Sequence, residues 1–109
     1  MKNIIKKSYI NSALRTIDIE VEGLQNLKEQ VDVSFSNAIN LILSRKGKVV
    51  FSGMGKSGLI AKKIAATISS TGTMGVFLHP AEAVHGDLGI IAEDDILIAI
   101  SYSGESDEL

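Results

Sequence analysis

The stretch Val49–Gly58, which reads VVFSGMGKSG, joins a short apolar run to a glycine-rich turn. Its first three residues are β-branched or aromatic, which predicts a buried strand that ends before the glycines. Beyond the turn, apolar side chains return at helical spacing at Ile60, Ile64 and Ile68. The sequence therefore predicts a strand, a tight loop and a helix over residues 48–70.

Two further apolar runs repeat this pattern along the chain. Val76–Leu78 precedes His79, and Ile96–Ile100 precedes a serine-rich segment. All three runs are near-continuous rather than alternating, which is typical of strands that are buried on both faces of a parallel sheet. We expect an open α/β fold, in which a parallel sheet is flanked by helices and ligands bind beyond the carboxyl ends of the strands.

The segment before the first strand predicts helices. Over Tyr9–Lys28, apolar residues recur at alternating steps of four and three, which is the spacing of one narrow seam along a helix. The seam residues are Ile10, Leu14, Ile17, Val21 and Leu24. Gly23 is unfavourable inside a helix, so the helix is expected to be weakest there. The seam fits packing on the domain's own core and a subunit interface equally well.

A second helix is predicted by a further apolar repeat. Its members are Val31, Phe35, Ile39 and Ile42, and Arg45, Lys46 and Gly47 follow as a cationic last turn and a glycine stop. We therefore divide the chain into a helical segment, residues 1–47, and the first half of an α/β domain, residues 48–109. Three strands leave much apolar surface uncovered, so we expect a domain that is incomplete.

Composition excludes several classes of protein. The chain has 109 residues, 45% of them hydrophobic and 22% charged, which is typical of a folded domain. A formal net charge of −2 gives no reason to expect nucleic acid or an anionic membrane as partner. Cysteine is absent, which excludes disulfides and thiolate chemistry. With no convincing signal peptide and no apolar run of membrane-spanning length, we expect a cytoplasmic protein.

The first glycine-rich loop has the chemistry of a phosphate site. Its glycines let backbone N–H groups approach an anion, the following helix presents its N-terminal dipole, and Lys56 adds a positive charge. A nucleotide-binding phosphate loop would need a further glycine where Val50 stands, so a nucleotide hydrolase is disfavoured. The structural alternative is a turn whose glycines only let the helix pack closely on the strand.

The second loop, SYSGES at residues 101–106, clusters hydroxyl groups at the end of the third strand. Hydroxyls and free amides solvate a phosphate without excess positive charge. Helix capping explains one of the serines but not all three, so we favour a ligand-binding loop. We predict that the two loops converge on one phosphoryl group, with Lys56 and Ser103 in the same cleft.

The two loops together resemble those of sugar isomerase (SIS) domains. The middle of the chain, which reads IAAT at residues 64–67, STGT at 70–73 and HPAEAVHGDLG at 79–89, is similar to the arabinose-5-phosphate isomerase branch. The resemblance covers nearly all of residues 49–109. It implies a flavodoxin-like or Rossmann-like three-layer fold. It also implies that the remainder of the SIS domain and a pair of CBS domains are missing.

The resemblance implies interconversion of D-arabinose 5-phosphate and D-ribulose 5-phosphate through an enediol, on the way to the octulosonate of lipopolysaccharide or capsule. Lys56 and Glu108 match catalytic positions of the family: Lys56 would stabilise an oxyanion or the phosphate, and Glu108 would transfer the proton. From the residues alone, Glu108 is better interpreted as a surface acid in a helix's first turn. The implied substrate-binding residues are Gly55, Ser57, Gly72, Thr73, His79, His85, Ser101, Ser103 and Ser106.

The two histidines lie in one polar loop, and the resemblance implies that His79 also binds an inhibitory zinc ion. No cofactor is expected to be required. The family implies a homotetramer acting on a pentose phosphate, and further catalytic residues in the missing part, so the 109 residues alone should bind weakly and turn over poorly or not at all. A sugar-phosphate sensor without catalysis is the alternative, although Glu108 and the histidines favour the enzyme.

Overall fold

A computed structural model describes residues 2–84 and 86–105, apart from the side chains of Lys2, Asp87 and Leu88. The chain divides into two compact units, residues 1–38 and 39–109. In chain order the elements are α1 (Lys2–Gln30), α2 (Val33–Ser44), β1 (Val49–Gly53), α3 (Gly55–Ser70), β2 (Gly75–Phe77), α4 (Pro80–Val84), a 3-10 turn (Asp87–Ile90) and β3 (Ile96–Ile100). Among the described residues, no helix is long and apolar enough to cross a membrane.

The first unit contains α1 and the start of α2. α1 is longer than the predicted helix and runs through Gly23 without a break. The second helix begins later than predicted, because Val31 lies before it and Asp32 forms its start. The Asp32 side chain accepts a hydrogen bond from the backbone N–H of Ser34 at 2.8 Å, which satisfies an amide that the helix itself leaves unpaired. The inclusion of Val31 in this helix was therefore wrong.

The second unit is built on a three-stranded parallel sheet with strand order β2-β1-β3, which confirms the predicted fold class. β1 is buried along its whole length, as expected for the central strand. The core consists of Val49, Phe51, Ala61 and Ala65, with α3 packed on the sheet. Partly buried apolar residues complete it: Ile42, Ile64, Ile68, Phe77, Ile98 and Ile100.

Close packing of α3 on β1 explains one glycine of the first loop. A Cβ atom at Gly58 would lie 2.4 Å from the carbonyl oxygen of Gly53, so no larger residue fits without moving backbone. At Gly58 the glycine therefore serves close packing of the helix on the strand, which is the structural alternative given above. That alternative does not extend to Gly55, where open space surrounds the Cβ direction.

β3 differs from the expectation of burial on both faces. Its side chains alternate between half-buried and exposed, and Leu97 is 52% exposed. Ile98 and Ile100 face the core with α3, whereas no described residue of the second unit buries Leu97. Parallel sheets are usually covered on both faces, so the near-continuous apolar sequence of β3 indicates a sheet face that the described residues of the second unit leave uncovered.

The amino ends of β1 and β3 are joined by a partly buried ion pair. The Lys48 ammonium donates to Asp95 at 2.5 Å and to the Ile90 carbonyl at 2.6 Å. The Asp95 carboxylate, 2% exposed, also accepts from the backbone N–H groups of Lys48 and Ala92. Hydrogen bonds from the Lys48 side chain and then the Ala92 backbone lower the pKa of Asp95 to about 2. The polar side chains at this edge of the sheet therefore bind one another and nearby backbone groups.

Candidate functional site

The first glycine-rich loop turns the chain from β1 into α3 at the carboxyl edge of the sheet. Met54 is extended and precedes α3 without capping it through its side chain. Gly55, with φ +54°, then begins the helix in a backbone conformation that other residues rarely adopt. The first amides of a helix have no partner within it, so those of Gly55, Lys56 and Ser57 are available to an anion.

The serine loop after β3 is shaped by its own hydroxyl groups. The Ser101 hydroxyl accepts from the backbone N–H of Gly104 at 2.8 Å, and the Ser103 hydroxyl accepts from that of Glu105 at 3.1 Å. Both bonds use oxygen lone pairs, and neither hydroxyl donates its own proton within the described part of the chain. Each serine therefore shapes the turn and still has an O–H to offer to a ligand oxygen.

The two loops line one cavity of about 330 Å³. Its walls are Met54, Lys56, Ser57, Ile100, Ser101, Tyr102 and Ser103. Lys56 and Ser103 thus face the same cleft, and Lys56 forms no ion pair with any acid in residues 2–84 or 86–105. The cavity lies at the carboxyl ends of β1 and β3, where the strand order reverses, which is the place where open α/β sheets bind ligands.

His79 follows β2 at the same edge of the sheet and immediately precedes α4. Its Nδ1 atom accepts a hydrogen bond from the backbone N–H of Ala81 at 3.1 Å, and its ring contacts Phe77 edge-on. An Nδ1 that accepts a hydrogen bond carries no proton, so the neutral ring carries its proton on Nε2. This tautomer suits donation from Nε2–H to a sugar oxygen.

Ser52, which was not among the predicted site residues, fixes the backbone directly before His79. Ser52, 5% exposed, donates from its hydroxyl to the Leu78 carbonyl oxygen at 2.5 Å. The Leu78 N–H in turn donates to the Phe51 carbonyl at 2.8 Å, so the residue before His79 is held twice. The available signal was a polar residue directly after the apolar run Val49–Phe51, inside what the structure shows to be β1.

Gly72 and Thr73 do not reach the cavity. They follow the C-terminus of α3, whose 16 residues span roughly 24 Å at about 1.5 Å per residue, whereas Lys56 lies at its N-terminus. Gly72 has φ +94°, and the N–H of Thr73 donates to the Ile68 carbonyl, as in a helix-ending turn. Substrate binding by these two residues stays a prediction.

Three of the predicted site residues, His85, Ser106 and Glu108, lie outside the described residues. Glu105, the second acid of this region, is exposed at the end of the described chain. Within residues 2–84 and 86–105, no group of three or more His, Asp or Glu side chains is arranged to hold a metal ion. Neither the catalytic role of Glu108 nor zinc binding by His79 is tested by this geometry.

Fold and cavity together define an open α/β domain with a cavity at the carboxyl edge of its sheet. The SIS domain family model matches residues 42–109, and the chain belongs to that family. It is 50% identical over 105 residues to the arabinose 5-phosphate isomerase KdsD of Francisella tularensis, and 52% identical over 101 residues to the arabinose 5-phosphate isomerase KpsF of Escherichia coli O6:H1.

These relatives are much longer than the chain. The matches cover 94% and 92% of the chain but 32% and 31% of the two relatives, so the chain spans about a third of their length. Among solved structures, E. coli CFT073 c3406 in complex with arabinose 5-phosphate matches with 53% identity and a TM-score of 0.70. That match covers 78% of this chain and 47% of c3406.

Proposed function

We propose that the chain is the phosphate-binding part of an isomerase that interconverts D-arabinose 5-phosphate and D-ribulose 5-phosphate. The cavity shared by Lys56 and Ser103 at the strand-order reversal carries the proposal. The substrate class follows from relatives that are named arabinose 5-phosphate isomerases and from a related structure that holds arabinose 5-phosphate.

The phosphate would be bound by uncharged donors with one cation. The amides that begin α3 and the hydroxyls of Ser101 and Ser103 donate to its oxygens, and the Lys56 ammonium offsets part of its charge. Ser106 would add a third hydroxyl. This division explains how a chain with a net charge of −2 binds a dianion: the binding is local and geometric rather than a property of the whole surface.

The chemical step would be a proton transfer between the two carbons that exchange the carbonyl group. Glu108 is the proposed base and acid, and Lys56 the proposed stabiliser of the oxygen that gains charge in the enediolate. The Nε2–H of His79 is suited to hold a sugar hydroxyl or carbonyl in place, and His85 is proposed beside it. The reaction moves protons without net oxidation, so we expect no required cofactor.

Gly72 and Thr73 fit this proposal only through a neighbouring copy of the protein. One pentose phosphate in the cavity does not extend to the far end of α3, roughly 24 Å away by the helix rise. Substrate contact by these two residues therefore requires a homo-oligomer, of which the tetramer implied by the family resemblance is one form. We expect the enzyme to work in the cytoplasm, in lipopolysaccharide or capsule synthesis.

Calorimetric titration of the chain with arabinose 5-phosphate tests the binding site. We expect weak binding that falls roughly 10- to 100-fold in Lys56→Ala, because a charge-assisted hydrogen bond to phosphate is lost. Lys63→Ala is the matched control: this lysine is exposed on the same helix and does not line the cavity, so its affinity should equal the wild type. Equal losses in both variants would contradict a phosphate site at Lys56.

A coupled assay for ribulose 5-phosphate tests the reaction. The 109 residues alone are expected to turn over poorly or not at all, whereas a protein of the relatives' length should be active and should lose activity in Glu108→Gln with binding retained. Binding without turnover in that longer protein would contradict the isomerase and favour a sugar-phosphate sensor.

A further inference from the structure

The connection between β2 and β3 has little hydrophobic packing of its own. This crossover segment, residues 78–95, carries both histidines of the chain. Parallel strands are usually joined by an α-helix that covers the sheet, whereas α4 has five residues and the 3-10 turn has four. Among the residues from Ala81 to Asp94 whose burial the structure describes, none is fully buried. Apolar burial within the second unit therefore does not fix the position of most of this segment.

Polar side chains near the two ends of β1 hold the crossover segment instead. At the carboxyl edge, the Ser52 hydroxyl donates to the Leu78 carbonyl at 2.5 Å. At the amino edge, the Lys48 ammonium donates to the Ile90 carbonyl at 2.6 Å, directly after the 3-10 turn. The same ammonium is paired with Asp95, whose carboxylate also accepts the backbone N–H of Lys48. The ammonium thus has a fixed place from which it holds Ile90.

The hold on Ile90 reaches His79 through the two short helical elements. α4 and the 3-10 turn lie close together, and neither is comparably close to another element of the described chain. α4 begins directly after His79, and the backbone N–H of Ala81 in its first turn donates to Nδ1 of that histidine at 3.1 Å. This bond orients the ring and keeps the proton of the neutral ring on Nε2. It lasts only while α4 keeps its place beside the ring.

We propose that Lys48 is a positioning residue for His79 and acts through the Ile90 carbonyl. Lys48 does not line the cavity, so it contacts no ligand bound there. Its ammonium fixes the end of the 3-10 turn, the turn supports α4, and α4 keeps His79 in the tautomer with its proton on Nε2. The importance of this tautomer for turnover rests on the proposed function. The positioning itself does not.

NMR of the histidine ring nitrogens tests the proposal in Lys48→Met, which removes the ammonium and keeps an unbranched side chain. At about pH 9, where histidine rings are neutral, the wild type should show His79 as the Nε2–H tautomer, and the variant should show a mixture of both tautomers. The amide hydrogens of Ala83 and Gly86 are bonded within the segment, and they should exchange with deuterium roughly ten-fold faster in the variant.

Ile64→Val is the matched control for a general loss of stability. Ile64 packs against the core from α3 and carries no polar side-chain group, so the variant should be less stable and should keep the wild-type tautomer. An unchanged tautomer in Lys48→Met, or an equal change in Ile64→Val, would overturn the proposal and leave Lys48 as a stabiliser of the sheet alone.

The wild type provides a measurement that does not require Lys48→Met to fold. The ammonium nitrogen of Lys48 should show through-bond NMR coupling to the carbonyl carbon of Ile90, because the two groups share a short hydrogen bond. A Lys48 ammonium that exchanges freely with water and shows no such coupling would overturn the proposal.

Kinetics in a protein of the relatives' length separate positioning from phosphate binding. Lys48→Met should lower kcat roughly ten-fold, because the sugar is held less precisely, and should leave the affinity for inorganic phosphate unchanged, because phosphate needs only the cavity. A phosphate affinity that falls together with kcat would contradict positioning through His79. If phosphate does not bind to the wild type, the proposed function fails, while the tautomer of His79 still decides the role of Lys48.

Discussion

The two edges of the sheet each carry a lysine, and the two lysines differ in whether they have an acidic partner. At the amino edge, Lys48 is paired with Asp95, and the ammonium and carboxylate are held by further backbone groups. At the carboxyl edge, Lys56 has no acidic partner among the described residues and faces a cavity lined by serines. The comparison separates polar groups that complete the fold from polar groups that remain available to a ligand.

The largest loss of stability is expected where the carboxyl edge depends on close backbone approach. In Gly58→Val the added side chain meets the Gly53 carbonyl, with the Cβ atom alone at 2.4 Å, so α3 must move away from β1. We expect the free energy of unfolding to fall by about 3 kcal/mol or more, measured by urea denaturation. Gly55→Ala serves as comparison, since its Cβ meets no atom and only its positive φ is strained.

Ser52→Ala should have the next largest effect. It leaves the buried Leu78 carbonyl without its hydroxyl donor, which costs about 1–2 kcal/mol of unfolding free energy. Because Leu78 precedes His79, affinity for arabinose 5-phosphate should fall as well, although Ser52 does not line the cavity. Ser52→Thr, which keeps the hydroxyl, is the matched variant. If Ser52→Ala lost stability with unchanged affinity, the hydroxyl would support only the sheet.

Asp95→Asn tests the amino edge through pH. The folded pKa of Asp95, about 2, lies below its ordinary value of 3.8, so its contribution to stability is complete above about pH 4 and is lost as pH falls toward 2. Asp95→Asn should therefore unfold at lower urea concentration than the wild type at about pH 7, and the gap should narrow between about pH 4 and pH 2. A gap that is constant across this range would show that the charge of Asp95 is unimportant.

Lys56→Met is expected to have the smallest effect on stability. Its side chain is exposed and makes no ion pair with the described acids, so the free energy of unfolding should change by no more than about 0.5 kcal/mol. Lys48→Met, by contrast, leaves the Asp95 carboxylate without its cation and should be clearly destabilising. Equal urea midpoints for these two variants would remove the distinction between the edges.

Local sequence was sufficient for the elements and for the two loops. Apolar runs predicted β1, β2 and β3 to within two residues, and glycine and serine segments marked the carboxyl edge. Local sequence did not predict the role of residues whose partners lie far away along the chain. Gly47 was interpreted as a helix stop, yet a Cβ there would lie 2.2 Å from an Asp95 carboxylate oxygen 48 positions later. Ser52 and Leu78, 26 positions apart, were missed for the same reason.

The sequence by itself determined the parallel α/β class, the glycine loop and the serine loop, because hydrophobic runs and glycines act on their immediate neighbours. Only the tertiary structure decided that both loops line one cavity, that Gly72 and Thr73 lie away from it, and that Lys48 is paired with Asp95 while Lys56 has no acidic partner among the described residues. Strand order and helix direction bring residues together across dozens of positions, and no local pattern contains that information. Lys48 therefore stabilises the fold at one edge of the sheet, whereas Lys56, the same type of residue, faces an open cavity at the other edge.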